Sequence, residues 1–569
     1  MIRLTLLITL WGISIHGFAQ LSRFEQSGGT ETANYSEIID WYRKLAAKSP
    51  MIRIREVGPT DAGLPLHLVM IGQFKNAHSP KHPIQILINN GIHPGEPDGI
   101  DACMMLARDI ATGSYKLPAN VQLNIIPVYN IGGCLNRSST SRVNQNGPVE
   151  YGFRGNSQNL DLNRDFTKCD SREAQTFNRL FQQLQPDILI DNHVSDGADY
   201  PYTMTLLTTQ YNKLGDSLGY WLKQQFEPAI YQRMDEKGEP MTPYVNFEDY
   251  EPVRGMEMFY DPPRFSSGYA ALFQTIAFVP ETHMLKPYRN RVTATRTLME
   301  TIIELAHQQA VSIKTHRNQA KIQVANATIL PLSWRVDSAR FSLLPFKGYL
   351  RDTTISEVTH LPRMRYNHQK PFQTTIRYYN EFAADKQARV PAYYYIPQCW
   401  YAVTERLQWN GVEMTQLKKD TLIELNVSRI SNWKSLTRPY EKHFRHYAVQ
   451  TTQQQEFIQL HTGDWVISTH QPARRYLVEM LEPTGDDSFF SWNFFDGILQ
   501  QKEWYSDYRW EDVAAHWLQS HPEIRELLEQ KKKDDPEFAK DASAQLLFVY
   551  KHSPYYESTH LRYPVYRKF

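Results

Sequence analysis

The sequence has no long apolar run beyond its first residues, few cysteines and almost no net charge. No later segment approaches the 18 consecutive apolar residues of a membrane-spanning helix, so we expect a soluble mature protein. The 62 Lys and Arg residues nearly balance the 61 Asp and Glu residues, which argues against nucleic-acid binding and against a polybasic membrane-binding role. Only four cysteines are present, none in a Cys-x-x-Cys pair, and this argues against a cysteine-based zinc site.

The N-terminus is typical of a secretory signal. Arg3 gives a short basic region, residues 4–15 form an uncharged apolar stretch of twelve residues, and Gly17 and Ala19 are the small residues that a signal peptidase reads. Twelve residues are too few to span a bilayer. We therefore predict a signal peptide over residues 1–19 and an exported protein, either periplasmic or secreted.

A chain of 569 residues is too long for one ordinary domain. Residues 20–315 alternate apolar strand-like runs with helical patterns, which predicts an α/β domain with a mixed central sheet flanked by helices. The predicted strands are 52–57, 67–71, 84–88, 123–128, 187–191, 204–207 and 275–279, and the predicted helices are 35–47, 98–111, 172–184 and 291–310.

Residues 316–569 have a different pattern. Short alternating stretches at 320–324, 374–379, 421–427, 457–460 and 465–468 are separated by turn-rich segments, and residues 510–530 have helical periodicity. We predict a mostly β, sandwich-like extension with a helical tail. No motif in this region indicates a chemical role.

The most informative motif is His93-Pro94-Gly95-Glu96, which follows the apolar run 84–88. Pro94 and Gly95 bend the backbone, so an imidazole and a carboxylate three positions apart could reach the same metal ion. A third ligand should come from another strand end. His193 follows the apolar run 187–191 and would complete a His₂Glu zinc site with one position open for water.

Residues 154–165 place several polar side chains between these ligands. Asn163 and Arg164 could hold a substrate carboxylate, since the planar guanidinium binds both oxygens of a carboxylate. Asp161 could orient a metal-binding histidine without binding the metal itself. Glu281 follows the apolar run 275–279 through Pro280, and a glutamate beside a metal-bound water would be the general base of a hydrolysis.

The order of these motifs, HPGE, DLNR, DNHVS and the glutamate of VPETH, resembles the M14 zinc carboxypeptidase family over about residues 35–310. The resemblance implies a zinc carboxypeptidase-like fold with one zinc ion per chain. It implies that the metal ligands are His93, Glu96 and His193, that Asn163 and Arg164 hold the C-terminal carboxylate of a peptide, that Glu281 activates water and that Arg154 stabilises the oxyanion.

The family usually has a mobile tyrosine in the loop before the catalytic glutamate, and this sequence departs from that pattern. Tyr269 is the nearest tyrosine on the glutamate side, but its register differs, and Tyr260 is no better placed. Arg264 could instead face the substrate and add a second contact for an anion. We interpret His283, two residues after Glu281, as a packing or supporting residue.

Three functions agree with these residues. The first is a zinc carboxypeptidase that removes C-terminal residues from peptides. The second keeps the zinc chemistry with another substrate, as in amidases acting on cell-wall muropeptides or deacylases acting on N-acyl compounds. The third is a peptide-binding protein on an inactive peptidase scaffold, which the complete set of ligands and the presence of Glu281 disfavour.

Overall fold

The computed structural model describes residues 20–74, 82–247 and 254–569, so the predicted signal peptide lies outside the described residues. The chain forms two compact units. The first runs to Ile322 and also includes Val336–Ala383, and the second comprises Gln323–Arg335 and Ala384–Phe569. The division is therefore not the single cut after residue 315 that the sequence suggested, because a later segment returns to the first unit.

The first unit is built on a nine-stranded mixed sheet in the order β1-β2-β4-β3-β5-β10-β7-β8, with the short β6 paired to β10. The strands of this unit up to residue 283 are β1 (Ile52–Pro59), β2 (Pro65–Ile71), β3 (Ile84–Asn89), β4 (Val121–Ile126), β5 (Ile188–Asp191), β6 (His193–Ser195), β7 (Met204–Thr208), β8 (Met241–Pro243), β9 (Met256–Glu257) and β10 (Ile276–His283). The prediction of a mixed α/β sheet is confirmed, and each of the seven predicted strands overlaps one of these strands, whereas β6, β8 and β9 were not predicted.

The centre of the sheet consists of strands whose apolar runs are continuous rather than alternating. β3, β5 and β10 lie side by side and parallel, and every residue of β5 is buried. Continuous apolar runs are expected where helices cover both faces of a parallel sheet. β10 continues through Pro280 to His283. Glu281 therefore lies within the strand, whereas the sequence analysis placed it after the end of the strand.

The helices of this part are α1 (Arg23–Gln26), α2 (Tyr35–Lys48), α3 (Asp98–Thr112), α4 (Ile131–Leu135), α5 (Arg172–Leu184), α6 (Tyr211–Leu214), α7 (Asp216–Trp221), α8 (Glu227–Glu236), α9 (Ser266–Leu272), α10 (Tyr288–Gln308) and α11 (Ala310–Asn326). The predicted strand at 320–324 is wrong, since these residues belong to α11. The buried side chains of α11 are Ile313, Arg317 and Ala320, whose spacing is helical.

A long antiparallel hairpin, β13 (Ser342–Ile355) and β14 (Pro362–Tyr379), belongs to the first unit, where β14 pairs with β9. The remaining strands are β11 (Ile329–Pro331), β12 (Trp334–Val336), β15 (Phe382–Ala384), β16 (Gln387–Arg389), β17 (Tyr393–Ile396), β18 (Thr415–Gln416), β19 (Thr421–Ser435), β20 (His446–Leu460), β21 (Trp465–Ser468) and β22 (Tyr566–Lys568).

The second unit contains a six-stranded antiparallel sheet in the order β18-β21-β17-β22-β19-β20. Its helices are α12 (Tyr401–Trp409), α13 (Arg474–Leu481), α14 (Asp507–Ser520), α15 (Pro522–Asp534) and α16 (Ala542–Lys551). The β-rich character and the helical tail are confirmed, and β11 and β16 form a two-stranded sheet besides the six-stranded one. Across the described ranges, no helix has both the length and the apolar composition of a membrane span.

Candidate active site

The HPGE motif forms a buried turn between β3 and α3. The Glu96 N–H donates to the carbonyl oxygen of His93 at 2.8 Å, which closes the turn. His93 is 2% exposed and Glu96 is 3% exposed, so both side chains are inside the protein. The turn therefore presents an imidazole and a carboxylate from one short segment, as the proline and glycine between them predict.

His193 reaches the same point from the sheet. It is the first residue of β6, directly after β5 has ended at Asp191. The Glu96 carboxylate lies between the two rings, with Oε1 3.0 Å from His93 Nδ1 and Oε2 3.0 Å from His193 Nδ1. The potential ligand atoms of the three residues all lie within 4.8 Å of one another.

The outer nitrogen of each imidazole is held by a carboxylate. His93 Nε2 lies 2.9 Å from Asp161 Oδ1, and His193 Nε2 lies 3.2 Å from Asp191 Oδ2. Asp191 is itself fixed by Asn89, whose side-chain amide donates to it at 3.0 Å. A carboxylate on Nε2 favours the tautomer in which Nδ1 carries a lone pair.

These residues fit a zinc ion. Two imidazole nitrogens and one carboxylate are the donor set of catalytic zinc sites. Each Nδ1 faces Glu96 while each Nε2 is held by an aspartate, which is the usual arrangement behind metal-binding histidines. His93, Glu96 and His193 would hold the ion.

Asp161 and Arg154 form an ion pair beside this centre. Arg154 donates to Asp161 Oδ2 from Nη2 at 2.8 Å and from Nε at 3.0 Å. Burial would raise the pKa of Asp161, but the hydrogen bond with His93 and the charge of Arg154 outweigh it and hold that pKa well below its usual range. Asp161 is therefore a carboxylate when it supports His93.

Asn163 and Arg164 stand on a short 3₁₀ helix, Leu162–Arg164, that Asp161 caps by accepting from the Asn163 N–H at 2.9 Å. The Arg164 guanidinium lies 4.4 Å from the centre of the Phe265 ring. Among the described residues Arg164 has no ion-pair partner within 4.0 Å, so its charge can meet a ligand. A structural salt bridge does not account for this arginine.

Glu281 faces the same cavity as the three metal ligands. Burial raises its pKa to about 8 in the protein alone, with Glu96 and Asp191 adding to that effect and His193 opposing it. Arg291 does not pair with Glu281, since its Nε donates to Asp98 Oδ2 at 3.0 Å. A buried carboxyl group with a raised pKa in a cleft is typical of an acid–base residue.

The cavity has a volume of about 280 Å³ and collects the metal ligands, Arg154, the Asn163–Arg164 pair and Glu281. Its lining residues are His93, Glu96, Arg142, Arg154, Asn163, Arg164, His193, Val194, Ser195, Asp196, Leu207, Tyr244, Phe259, Asp261, Phe265, Ser266, Val279, Glu281 and Met284. Residues from widely separated segments thus converge on one site.

Two predicted substrate contacts are not in this cavity. Tyr269 is fully buried on α9, packed against aromatic rings that include Phe166 and Phe181, and its hydroxyl lies 3.4 Å from the side-chain amide of Gln182. Arg264 is not among the lining residues, although its neighbour Phe265 is. A single sequence does not fix the register of this loop, which is why Tyr269 and Arg264 could not be placed in advance.

Other lining or supporting residues were missed. Asp191 could have been found, since it lies two positions before His193 on a strand-like segment, where alternate residues share a face. Arg142 and Asp261 had no such signal, because both lie in segments without a periodic pattern. Burial raises the pKa of Asp261 to about 7, and the charge of Arg164 acts against that rise.

Residues 38–187 match the family model of the zinc carboxypeptidases, peptidase family M14. This segment contains the HPGE turn, Arg154 and the Asn163–Arg164 pair, and it ends shortly before His193. Over this segment the chain is similar to the M14 zinc carboxypeptidases. The match supports a metallopeptidase-type hydrolase.

Similar proteins include two fungal carboxypeptidases. Carboxypeptidase 2 of Trichophyton rubrum is 20% identical over 496 residues, which cover 82% of this chain and 85% of the relative. Carboxypeptidase 2 of Trichophyton tonsurans is 20% identical over 433 residues, covering 72% of this chain and 74% of the relative.

Solved M14 structures resemble part of the chain. A metallo-carboxypeptidase from Burkholderia cenocepacia has a TM-score of 0.37 and 16% identity, covering 49% of this chain and 69% of its own. The carboxypeptidase A of Helicoverpa armigera has a TM-score of 0.36 and 13% identity, covering 49% of this chain and 74% of its own.

Proposed function

We propose that the protein is a zinc-dependent carboxypeptidase that hydrolyses the C-terminal peptide bond of peptides. The observation that carries this proposal is the convergence, in one cavity, of the candidate metal-ligand set, Glu281 and Arg164, which has no ion-pair partner in the described part of the chain. Each feature alone is compatible with several hydrolases. Together they match a substrate with a free carboxylate next to the bond that is cut.

Arg164 and Asn163 would bind the terminal carboxylate. Arg164 donates one hydrogen bond to the Asn163 carbonyl oxygen at 2.9 Å, and this contact holds the guanidinium beside its own helix. The remaining N–H groups can bind both oxygens of a carboxylate. The Asn163 side-chain amide, on the cavity wall, would add a further donor.

Glu281 would transfer the proton. Its carboxylate would accept a proton from the attacking water and then donate it to the nitrogen of the leaving amine. Arg154 lines the cavity, and Asp161 holds its Nε and Nη2, so its remaining N–H groups can stabilise the oxyanion. A zinc ion held by His93, Glu96 and His193 would act as a Lewis acid that activates water and polarises the carbonyl group.

The decisive experiment compares one peptide with a free C-terminal carboxylate and the same peptide with a C-terminal amide. The zinc-loaded enzyme should release single amino acids from the first peptide, and amidation should lower kcat/KM by about 10- to 100-fold, since charge-assisted hydrogen bonds contribute about 1.5–3 kcal/mol. An Arg164→Met variant should lose the same factor on the free peptide and little on the amide.

Purified muropeptides form the second arm of the assay. If muropeptides are turned over and no single amino acid is released from peptides, the enzyme is an amidase and the carboxypeptidase proposal is wrong. If neither substrate is cleaved but peptides still bind, the protein is a binding protein on an inactive scaffold. The zinc content of the same preparation should be measured as well. It distinguishes an enzyme that has lost its metal from a protein that holds zinc and has no activity.

We also propose that the protein is exported. The basic start, the apolar stretch 4–15 and the small residues at 17 and 19 support this proposal. Mass spectrometry of protein from the periplasm or the medium should find a mature N-terminus at Gln20. An intact Met1 in that fraction would contradict it.

A further inference from the structure

Arg142 makes a direct contact with a metal ligand. Its Nη2 donates to Glu96 Oε1 at 2.5 Å, and the side chain is only 13% exposed. Arg142 lies in the segment between α4 and α5, and it lines the cavity. An arginine at this depth, paired with a fully enclosed carboxylate, is a specific interaction and not a surface ion pair.

Arg142 is also fastened to the turn that carries Glu96. Its Nη1 donates to Gln145 Oε1 at 3.2 Å, and Gln145 Nε2 donates to the carbonyl oxygen of Gly95 at 2.7 Å. The Tyr151 hydroxyl accepts from the Arg142 N–H at 3.2 Å. The guanidinium is therefore held at both ends, by the ligand itself and by a bridge to the residue before it.

The glycine of HPGE provides the space that Arg142 occupies. A Cβ atom at Gly95 would lie 2.3 Å from Arg142 Nε and 2.9 Å from Arg142 Cδ. Contacts this short do not occur between a Cβ and its neighbours, so an alanine at position 95 would displace the arginine. Gly95 thus contributes to the site because it has no side chain that would displace Arg142, in addition to bending the turn.

The two oxygens of Glu96 each accept a hydrogen bond from a fixed donor. Arg142 holds Oε1, and the Val194 N–H donates to Oε2 at 2.9 Å. Two donors on opposite oxygens fix the rotation of the carboxylate, whose oxygens lie 3.0 Å from His93 Nδ1 and from His193 Nδ1. Removing either donor would let the carboxylate turn away from the metal position.

We propose that Arg142 is a positioning residue that orients Glu96 as a metal ligand, and that Gly95 is required to admit it. The inference rests on the proposed zinc site. Partners that orient metal ligands typically contribute about 10- to 100-fold to metal affinity. A guanidinium is suited to the task because its planar fork can hold Glu96 and Gln145 at once.

The test measures zinc affinity by competition with a chromophoric chelator, without any substrate. Arg142→Met should weaken zinc binding by about 10- to 100-fold. Arg142→Lys, which keeps the charge but loses the fork, should recover part of that loss. Gln145→Met should also weaken zinc binding, but by a smaller factor. Because it keeps the ion pair between Arg142 and Glu96, this variant still tests the inference if Arg142→Met does not fold.

Arg137→Met is the matched control. Arg137 belongs to the same segment and is 20% exposed, but it donates to the backbone oxygens of Thr32, Ala33 and Glu150 and not to Glu96. It should retain wild-type zinc affinity. Gly95→Ala should weaken zinc binding in the wild type and cost less when combined with Arg142→Ala, which removes the contacts with Nε and Cδ and leaves only the contact with the Gly152 carbonyl oxygen at 2.9 Å.

Zinc affinity equal to wild type in Arg142→Met would overturn the inference, and so would tighter binding. An unchanged zinc affinity with a raised KM would assign Arg142 to the substrate instead, which also overturns it. Failure of zinc-loaded wild type to cleave any peptide would refute the proposed function and leave this inference standing, because the zinc measurement uses no substrate.

Discussion

Glu281 and His193 are direct register partners on the neighbouring parallel strands β10 and β6. Paired residues on parallel strands have side chains on the same side of the sheet, so backbone hydrogen bonding fixes the proposed general base next to a proposed metal ligand. The distance between the two chemical groups is thus set by the sheet and does not depend on a flexible loop.

Replacing Glu281 by Gln should abolish proton transfer and leave metal binding intact. We expect kcat to fall by about 10²- to 10⁴-fold, the usual contribution of a general acid–base group. Zinc content should remain that of the wild type, because Glu281 is not one of the ligands. Steady-state kinetics and elemental analysis on one preparation measure both.

Glu281→Asp serves as the matched variant, since it keeps the carboxyl group and shortens its reach. It should retain more activity than the glutamine variant. If Glu281→Gln instead loses zinc, or if it hydrolyses peptides at the wild-type rate, Glu281 does not have the role assigned to it.

Asp191 should matter for metal affinity although it does not touch the metal position. Asp191→Asn keeps the shape of the side chain but weakens the contact with His193 Nε2, and we expect zinc affinity to fall by about 10- to 100-fold. The exposed Asp235 on α8, changed to Asn, is the control for the loss of one negative charge. Equal zinc affinities in both variants would exclude the supporting role.

The parts of the molecule that the sequence predicted are those with strong local patterns. β3, β5 and β10 are continuous apolar runs, so their existence and the ends of β3 and β5 could be read directly, whereas β10 continues beyond its apolar run to His283. The HPGE turn and His193 follow two of these runs, which is why the metal site could be assembled before the fold was known.

The rest depends on contacts between distant segments. Arg142 reaches Glu96 from an irregular stretch, and no periodic pattern marks it. The alternation at 320–324 is also compatible with a helix, and the length of α11 decides between the two. Tyr269 is an aromatic residue near the expected position, but packing against other rings, which sequence alone does not show, places it in the core.

Zinc should stabilise the folded protein, because the three ligands come together only in the fold. A ligand that binds only the native state contributes about 2.7 kcal/mol at a hundredfold excess over its Kd. Chelation should therefore lower Tm, and added zinc should restore it. His93→Ala should have a Tm that no longer responds to zinc, and a variant with an undiminished response would contradict the assignment of the ligand.

Tyr269→Phe should have nearly wild-type activity. The hydroxyl lies 3.4 Å from the side-chain amide of Gln182, and the ring lies in the core and outside the cavity. Kinetics on the free-carboxylate peptide test this expectation. A loss of tenfold or more in kcat, without a change in Tm, would mean that Tyr269 reaches the substrate after all.

His283 should make the fold sensitive to acid. It is fully buried, with Nε2 3.0 Å from the carbonyl oxygen of Ala198, and burial lowers its pKa from 6.5 to about 4. The negative charges of Asp199 and Asp196 act against this decrease and Lys286 adds to it.

Above pH 6.5 the His283 ring is neutral in both the folded and the unfolded protein, so its contribution to stability does not change there. As the pH falls from 6.5 to 4, only the unfolded chain takes up the proton, which favours unfolding. The loss attributable to this group is on the order of 3 kcal/mol, since each unit of pKa shift corresponds to about 1.4 kcal/mol. His283→Gln, whose amide can still donate to Ala198, should remove this part of the pH dependence.

Denaturant unfolding at pH 7 and pH 5 measures the effect in metal-free protein, where release of zinc does not contribute. The relevant quantity is the difference between the two pH values, compared between wild type and His283→Gln, because a general destabilisation by the substitution cancels in that comparison. All other ionisable groups are common to the two proteins, so their contributions cancel as well. Equal pH dependence in the two proteins would show that His283 is protonated in the fold, in conflict with its burial between Tyr200 and the Ala198 carbonyl.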